Sequence, residues 1–161
     1  MDPNYDYYRM SDNDVQFVRM VANSQGELFE HYAEQQVNME EFIPAFLKSE
    51  FCNKCLDAAW DYEQSRGYTT WRELVEKEIN TELMRHEERI PDVNYFARSL
   101  GYLLRLFQKQ YDLCSREIAG RLPLSEILKV VQDLEYAGND NTACADLYRI
   151  YNRTDKRPKV G

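Results

Sequence analysis

The amino-acid sequence predicts an all-α fold, a single compact bundle of six or seven helices. Apolar residues recur every three to four positions along most of the chain, and no alternating strand pattern persists. The 5 prolines and 6 glycines are few and lie mainly at junctions between these stretches. A chain of 161 residues is also long enough to bury one sizeable core.

The first two predicted helices are separated by a short polar junction. One face of a first helix, over residues 14–35, is marked by Val15, Val18, Ala22, Phe29 and Tyr32. We expect Gly26 to kink or divide this helix. Asn38 is a favourable N-cap for a second helix, which we expect to run from Met39 to about Tyr62 with Trp60 turned inward.

A third helix is predicted between two chain-breaking segments. Thr70 and Glu73 have the spacing of a capping box, and Pro91 stops the helix near Ile90. Four apolar residues follow at four-residue spacing and should face the core, namely Trp71, Val75, Ile79 and Leu83.

The most apolar stretch, residues 93–111, is predicted to be the central helix. Its apolar side chains cover more than one face: Val93, Phe96, Ala97, Leu100, Leu103, Leu104 and Phe107. Gly101 should allow a neighbouring helix to approach closely. Three shorter helices are predicted after it, over residues 115–122, 125–137 and 142–152.

The chain is therefore predicted to divide into a flexible acidic, Tyr-rich arm (1–12), an all-α domain (13–152) and a disordered basic tail (153–161). The N-terminus is acidic and lacks the apolar segment of a signal peptide. No apolar run approaches the roughly 18 residues of a membrane span. We expect a cytoplasmic protein with reduced thiols and no membrane association.

The net charge of −8 is unevenly distributed. Residues 1–90 carry 19 acidic and 9 basic side chains, a net −10, whereas residues 91–161 carry 9 acidic and 11 basic ones, a net +2. An acidic first half disfavours binding to a phosphate backbone and suits a basic protein partner. The alternative interpretation is that the charge serves solubility.

The cysteine pair Cys52 and Cys55 has the spacing of half a zinc site or of a redox motif. Possible further ligands are Cys114, Cys144, His31 and His86, but no second close pair exists. No strand precedes the pair, as a redox motif would require. We therefore interpret both thiols as small buried residues of a helix, with a metal site as the alternative.

No motif for catalysis or cofactor binding is found in the sequence. A Gly-rich phosphate loop, a G-x-S-x-G elbow and a His-Glu-x-x-His helix are all missing. Glu27 and His31, like Glu82 and His86, are spaced i, i+4 rather than as the Glu-x-x-His pairs of helical di-iron proteins, and His31 and Glu34 have the i, i+3 interval in reversed order. We predict a protein that is not an enzyme and has no cofactor.

The leading functional prediction is a non-enzymatic helical protein-interaction module that binds a basic protein partner. Acidic side chains are dense on and just after the third predicted helix, away from its apolar face. The predicted partner-binding residues are Glu73, Glu76, Glu87 and Glu88.

The third-ranked possibility, based on charge alone, is an acidic protein that mimics nucleic acid and thereby inhibits a defence system.

The second possibility is a DNA-binding regulator, because residues 115–136 resemble a helix-turn-helix unit. Ala119 would lie where the two helices cross, and the reading helix would present Ser125, Glu126 and Lys129. Pro123 replaces the usual turn glycine, and the reading helix has a net charge of −2. Both features disfavour contact with nucleic acid.

Two stretches, residues 42–50 and 94–128, resemble small helical, antitoxin-like companion proteins of Gram-positive gut bacteria. The matching positions are Phe42, Ile43, Phe46, Leu47, Lys48, Ser49, Ser115, Glu117, Ile118, Pro123, Leu124, Glu126, Ile127 and Leu128. The central helix departs from the pattern at Phe96, Arg98 and Leu103. The resemblance implies a companion or regulatory role and no catalytic residues.

Overall fold

The computed structural model describes residues 12–86 and 92–155, and it confirms the predicted all-α fold. The seven α-helices of these residues are α1 (Asp12–Glu34), α2 (Met39–Lys48), α3 (Tyr68–Glu78), α4 (Ala97–Tyr111), α5 (Ser115–Arg121), α6 (Leu124–Ala137) and α7 (Asp140–Asp155). Shorter 3-10 turns occur at Tyr62–Ser65, Thr81–Met84 and Asp92–Phe96, and a π-helical segment at Cys52–Leu56. Within the described ranges the β structure is limited to an isolated bridge between Val37 and Arg85.

Helix α4 is the central helix, as its apolar pattern predicts. It is buried on several faces and packs most extensively against α1. Gly101 confirms the predicted close approach, because a Cβ atom there would lie 2.6 Å from the carbonyl oxygen of Gln25. Gly26 does not divide α1, which continues through it unbroken. A Cβ atom at Gly26 would lie 2.8 Å from the carbonyl oxygen of Arg98, so this glycine also serves the α1–α4 contact.

The second predicted helix is interrupted at Ser49 and ends at Leu56 instead of near Tyr62. Ser49 is extended (φ −67°, ψ 153°) and interrupts the helix. Its hydroxyl donates to the Phe46 carbonyl at 2.7 Å and accepts from the Cys52 amide at 3.1 Å, so it ends one helix and starts the next. The Glu78 carboxylate accepts hydrogen bonds from the backbone amides of Glu50 and Phe51 and so caps the start of the second helical stretch. The chain then leaves helical structure after Leu56, and Trp60 is exposed instead of buried.

The third predicted helix is also displaced. It begins at Tyr68, directly after Gly67, whose φ of +85° only glycine adopts easily. Thr70 therefore lies inside the helix and does not cap it. Because α3 ends at Glu78, the four-residue spacing no longer applies after Ile79, and Leu83 is 81% exposed.

Helices α5, α6 and α7 close the far side of the bundle. Their bounds agree with the predicted ranges to within a few residues. Helix α7 continues to Asp155, past the predicted domain end at 152. The Tyr111 and Tyr148 rings stack in parallel with centroids 4.1 Å apart and join α7 to the central helix. The remaining residues of the predicted arm and tail, 1–11 and 156–161, lie outside the described residues. None of the described helices is long and apolar enough to cross a membrane.

Candidate functional site

Arg105, on the central helix, is completely buried and bonded to four side chains. Its guanidinium donates to Gln25 Oε1, Asp57 Oδ1 and Gln108 Oε1, each at 2.8 Å, and to Cys52 Sγ at 2.9 Å. These partners come from α1, α4 and the chain around the π-helical segment. A buried charge needs this number of partners because leaving it unpaired costs several kcal/mol.

Asp57 connects this cation to α5 and begins the exposed loop that follows the π-helical segment. Besides Arg105, its carboxylate accepts from the Ser115 amide at 2.8 Å and from the Ser115 hydroxyl at 2.5 Å. The Gln108 side chain donates to the Asp57 carbonyl at 3.3 Å. The backbone and side chain of Asp57 are therefore both fixed to the core.

The next residue, Ala58, is fixed through its carbonyl oxygen. Lys109 Nζ donates to it at 2.5 Å, and Gln64 Nε2 donates to it at 2.9 Å. Gln64 is fully buried and also donates to the Cys55 carbonyl at 2.8 Å. Burial and the neighbouring Arg105 lower the pKa of Lys109 to about 8, despite the opposing carboxylates of Asp57 and Asp112.

Residues 57–62, which we name the aromatic loop, expose two large aromatic side chains. Trp60 is 67% exposed and Tyr62 is 62% exposed. The Arg66 guanidinium lies over the Tyr62 ring, 5.4 Å from its centroid. A loop whose first two residues are tied to a buried network thus presents a tryptophan and a tyrosine to solvent.

A cleft of about 330 Å³, which we name the Lys109 cleft, lies beside this loop. Apolar side chains and three carboxylates surround the single amine. The lining residues are Asp14, Phe17, Val18, Asp57, Ala59, Lys109 and Asp112. Because Asp57 is already paired with Arg105, the remaining two carboxylates and one ammonium give the lining a formal charge of −1, so the cleft suits a group that is apolar or basic.

The four cysteines are free thiols that the fold keeps in different places. Cys52 is buried and accepts the bond from Arg105, while Cys55 is partly buried against the core. Desolvation raises the pKa of both thiols, which keeps them protonated. Within residues 12–86 and 92–155, no three His, Cys, Asp or Glu side chains are grouped so that they could hold a metal ion.

The structure describes two of the four predicted partner-binding glutamates, Glu73 and Glu76. Glu73 and Glu76 are exposed on α3, but Glu76 accepts a hydrogen bond at 2.7 Å from the hydroxyl of the buried Tyr32. Desolvation of the ring and, to a smaller degree, this hydrogen bond raise the pKa of Tyr32. Reversing the charge of Glu76 would therefore disturb the α1–α3 contact. Glu87 and Glu88 lie outside the described residues.

Two of the three residues of the helix-turn-helix alternative, Glu126 and Lys129, line an open groove between α6 and α7. Ser125 and Lys129 are exposed and Glu126 is half-buried. The groove, of about 810 Å³, is lined by both acidic and basic side chains, including Glu126, Lys129 and Asp133. Helix α5 packs mainly on α2, whereas α6 packs mainly on α7 and α4. In a helix-turn-helix the two helices pack on each other, so this arrangement does not favour the alternative.

Sequence reasoning missed the Arg105 network and the exposed loop. A signal for the first was present, because Arg105 interrupts the apolar run Leu103–Phe107 of the central helix. An arginine at that position must be buried, and a buried arginine needs a carboxylate. No comparable signal identifies Asp57 among the many acidic residues as that carboxylate.

A comparison with family models, curated proteins and solved structures found no significant match to this chain. The resemblance to antitoxin-like companion proteins therefore stays a prediction.

Proposed function

We infer that the chain is a non-enzymatic protein-interaction module that binds a basic protein partner through the aromatic loop. The observation that carries this proposal is the contrast within the loop. Its first residues are held by part-buried hydrogen bonds from Arg105 and Lys109, while Trp60 and Tyr62 remain exposed. The companion role implied by the sequence resemblance is compatible with this function.

Exposed aromatic side chains on a fixed backbone are what a binding surface requires. Tryptophan and tyrosine dominate the binding energy of many interfaces, since they bury a large area on contact. A loop already held in one conformation loses little entropy when it binds. The buried Arg105–Asp57 pair supports this interpretation, because such pairs contribute more to a defined geometry than to net stability in some proteins.

The charge around the loop supports a basic partner. Asp112 lines the Lys109 cleft next to Ala59, and Asp61 directly follows Trp60 in the loop. Complementary charge at the rim of an interface speeds association and excludes acidic partners. The overall net charge of −8 also attracts a basic partner, at longer range.

Site-specific crosslinking in cells of the native source would test this function. A photoreactive phenylalanine analogue placed at Trp60 should crosslink to a protein with a basic contact surface. The matched control is the same analogue at Tyr95, an aromatic residue that is 84% exposed elsewhere on the chain. Crosslinks of equal yield and identity from both positions, or none from position 60, would argue against the proposal.

A further inference from the structure

We propose that Lys109 is an acylation site that reacts with small uncharged acyl thioesters entering the Lys109 cleft. This inference deepens the proposed function, on which its regulatory meaning rests. The cleft places one amine at the base of the aromatic loop among three apolar side chains, Phe17, Val18 and Ala59. Its three carboxylates disfavour anionic acyl donors such as acyl phosphates, so an uncharged thioester is the class that fits.

The hydrogen bonds of Lys109 suit a neutral amine. Its nitrogen has two acceptors, the Ala58 carbonyl at 2.5 Å and Gln64 Oε1 at 3.4 Å. A neutral amine has two N–H groups and one lone pair, so these two bonds leave the lone pair available for attack.

The surrounding charges act on this amine in opposite directions. Arg105, from the same helix, disfavours the ammonium form, whereas Asp57 and Asp112 favour it. Asp14 of α1 adds a third carboxylate to the lining. Burial is the largest influence, and the resulting pKa of about 8 leaves a substantial neutral fraction near neutral pH. Desolvated lysines become nucleophiles in this way.

The reaction balances without any further reagent. The lone pair of Lys109 Nζ forms a bond to the carbonyl carbon of the thioester, and the carbon–sulfur bond breaks. The sulfur leaves as a thiol after taking up the proton that the nitrogen loses. The products are an amide at Lys109 and a free thiol, with no change of oxidation state.

Acylation would change how the aromatic loop is held. The product amide has one N–H group, so it cannot donate to both the Ala58 carbonyl and Gln64 Oε1. The acyl group would also occupy part of the 330 Å³ cleft beside Ala59. We therefore expect the loop that presents Trp60 to become more mobile, which would weaken binding of a partner there.

Labelling of the full chain with N,S-diacetylcysteamine at pH 7.5 tests the site. Peptide mass spectrometry should show Lys109 acetylated at least about tenfold faster than the exposed Lys77 and Lys129. The shifted pKa raises the neutral fraction of Lys109 by about two orders of magnitude, and partial burial and lower basicity offset part of this gain. A rate at Lys109 no faster than at Lys77 and Lys129 would overturn the proposal.

Amide hydrogen exchange on the acetylated chain tests the consequence. Exchange in residues 57–62 should increase at least several-fold relative to unlabelled protein, while exchange in the middle of α4 stays the same. Unchanged exchange in the loop would overturn the regulatory step. Both measurements use the chain without a partner, so their failure is distinguishable from failure of the proposed function.

Discussion

Arg105 and Asp57 form an ion pair, 2.8 Å from Nη1 to Oδ1, that is almost entirely enclosed by the protein. The arginine side chain is 0% exposed and the aspartate side chain 11%. The pair joins the central helix α4 to the first residue of the aromatic loop. It therefore connects the stability of the core to the geometry of the aromatic loop.

Replacing Arg105 with Met should destabilise the protein by about 3–5 kcal/mol, because Asp57 then loses its buried counter-ion. Urea unfolding measures this loss. In an Asp57→Asn background the same replacement should cost at least about 1 kcal/mol less, since no carboxylate remains to be left unpaired. Identical costs in the two backgrounds would mean that the pair does not interact in solution.

Gly101→Ala should destabilise the protein by about 1–3 kcal/mol, since the added methyl group overlaps the Gln25 carbonyl and the Phe29 ring. The control is Gly120→Ala on α5, where a Cβ atom would meet nothing within 4 Å. This second substitution should be neutral or stabilising by up to about 1 kcal/mol, because alanine favours helix. Equal effects on the urea midpoint would contradict the close α1–α4 approach.

Leu104→Ala should cost about 2–5 kcal/mol, because it leaves a cavity beside the central helix, where Leu104 is 1% exposed. Leu83→Ala makes the same chemical change at a side chain that is 81% exposed. Its effect should stay within about 0.5 kcal/mol. Thermal melts that shift equally for both variants would show that α4 is not central.

The pKa of Lys109 gives a pH dependence with a definite sign. Folding lowers this pKa from 10.5 to about 8, so between these values the unfolded chain binds more protons than the folded one. Burying the Lys109 ammonium lowers the free energy of unfolding, and this loss should be complete below pH 8. The loss should shrink as the pH rises from 8 to 10.5, so stability should increase over that range.

The comparison with Lys109→Met isolates this effect, because the other lysines, the thiols and the tyrosines titrate in both proteins. The difference in unfolding free energy, wild type minus variant, should increase across this pH range. A difference that is flat or falls with pH would contradict the burial of the amine.

The sequence predicts the central helix well because the apolar residues of α4 surround most of its circumference. The same reasoning fails at residues 49–62, where the apolar spacing favours one long helix. Ser49 and Glu78 supply hydrogen bonds that restart the helix, and Glu78 comes from a distant part of the chain. The spacing of apolar residues in the sequence carries no sign of such a tertiary contact. That spacing alone therefore places Trp60, incorrectly, in the core.

The candidate site could be predicted only in part for a related reason. The density of acidic residues selects Glu73 and Glu76. Glutamates are frequent on any solvent-exposed helix, so their presence alone does not identify a binding site. The aromatic loop depends instead on Lys109 and Gln64 meeting the carbonyl oxygen of Ala58. Backbone acceptors of this kind are present at every residue, and only the fold determines which of them is used.

The affinity of the protein crosslinked from position 60 would test the proposed interaction surface most directly. Isothermal titration should show that Trp60→Ala weakens binding by at least about 2 kcal/mol, roughly 30-fold, as expected for an interface hot spot. Tyr95→Ala should change the dissociation constant by less than about threefold. Equal affinities for wild type and Trp60→Ala would contradict the assignment of the aromatic loop as the binding surface.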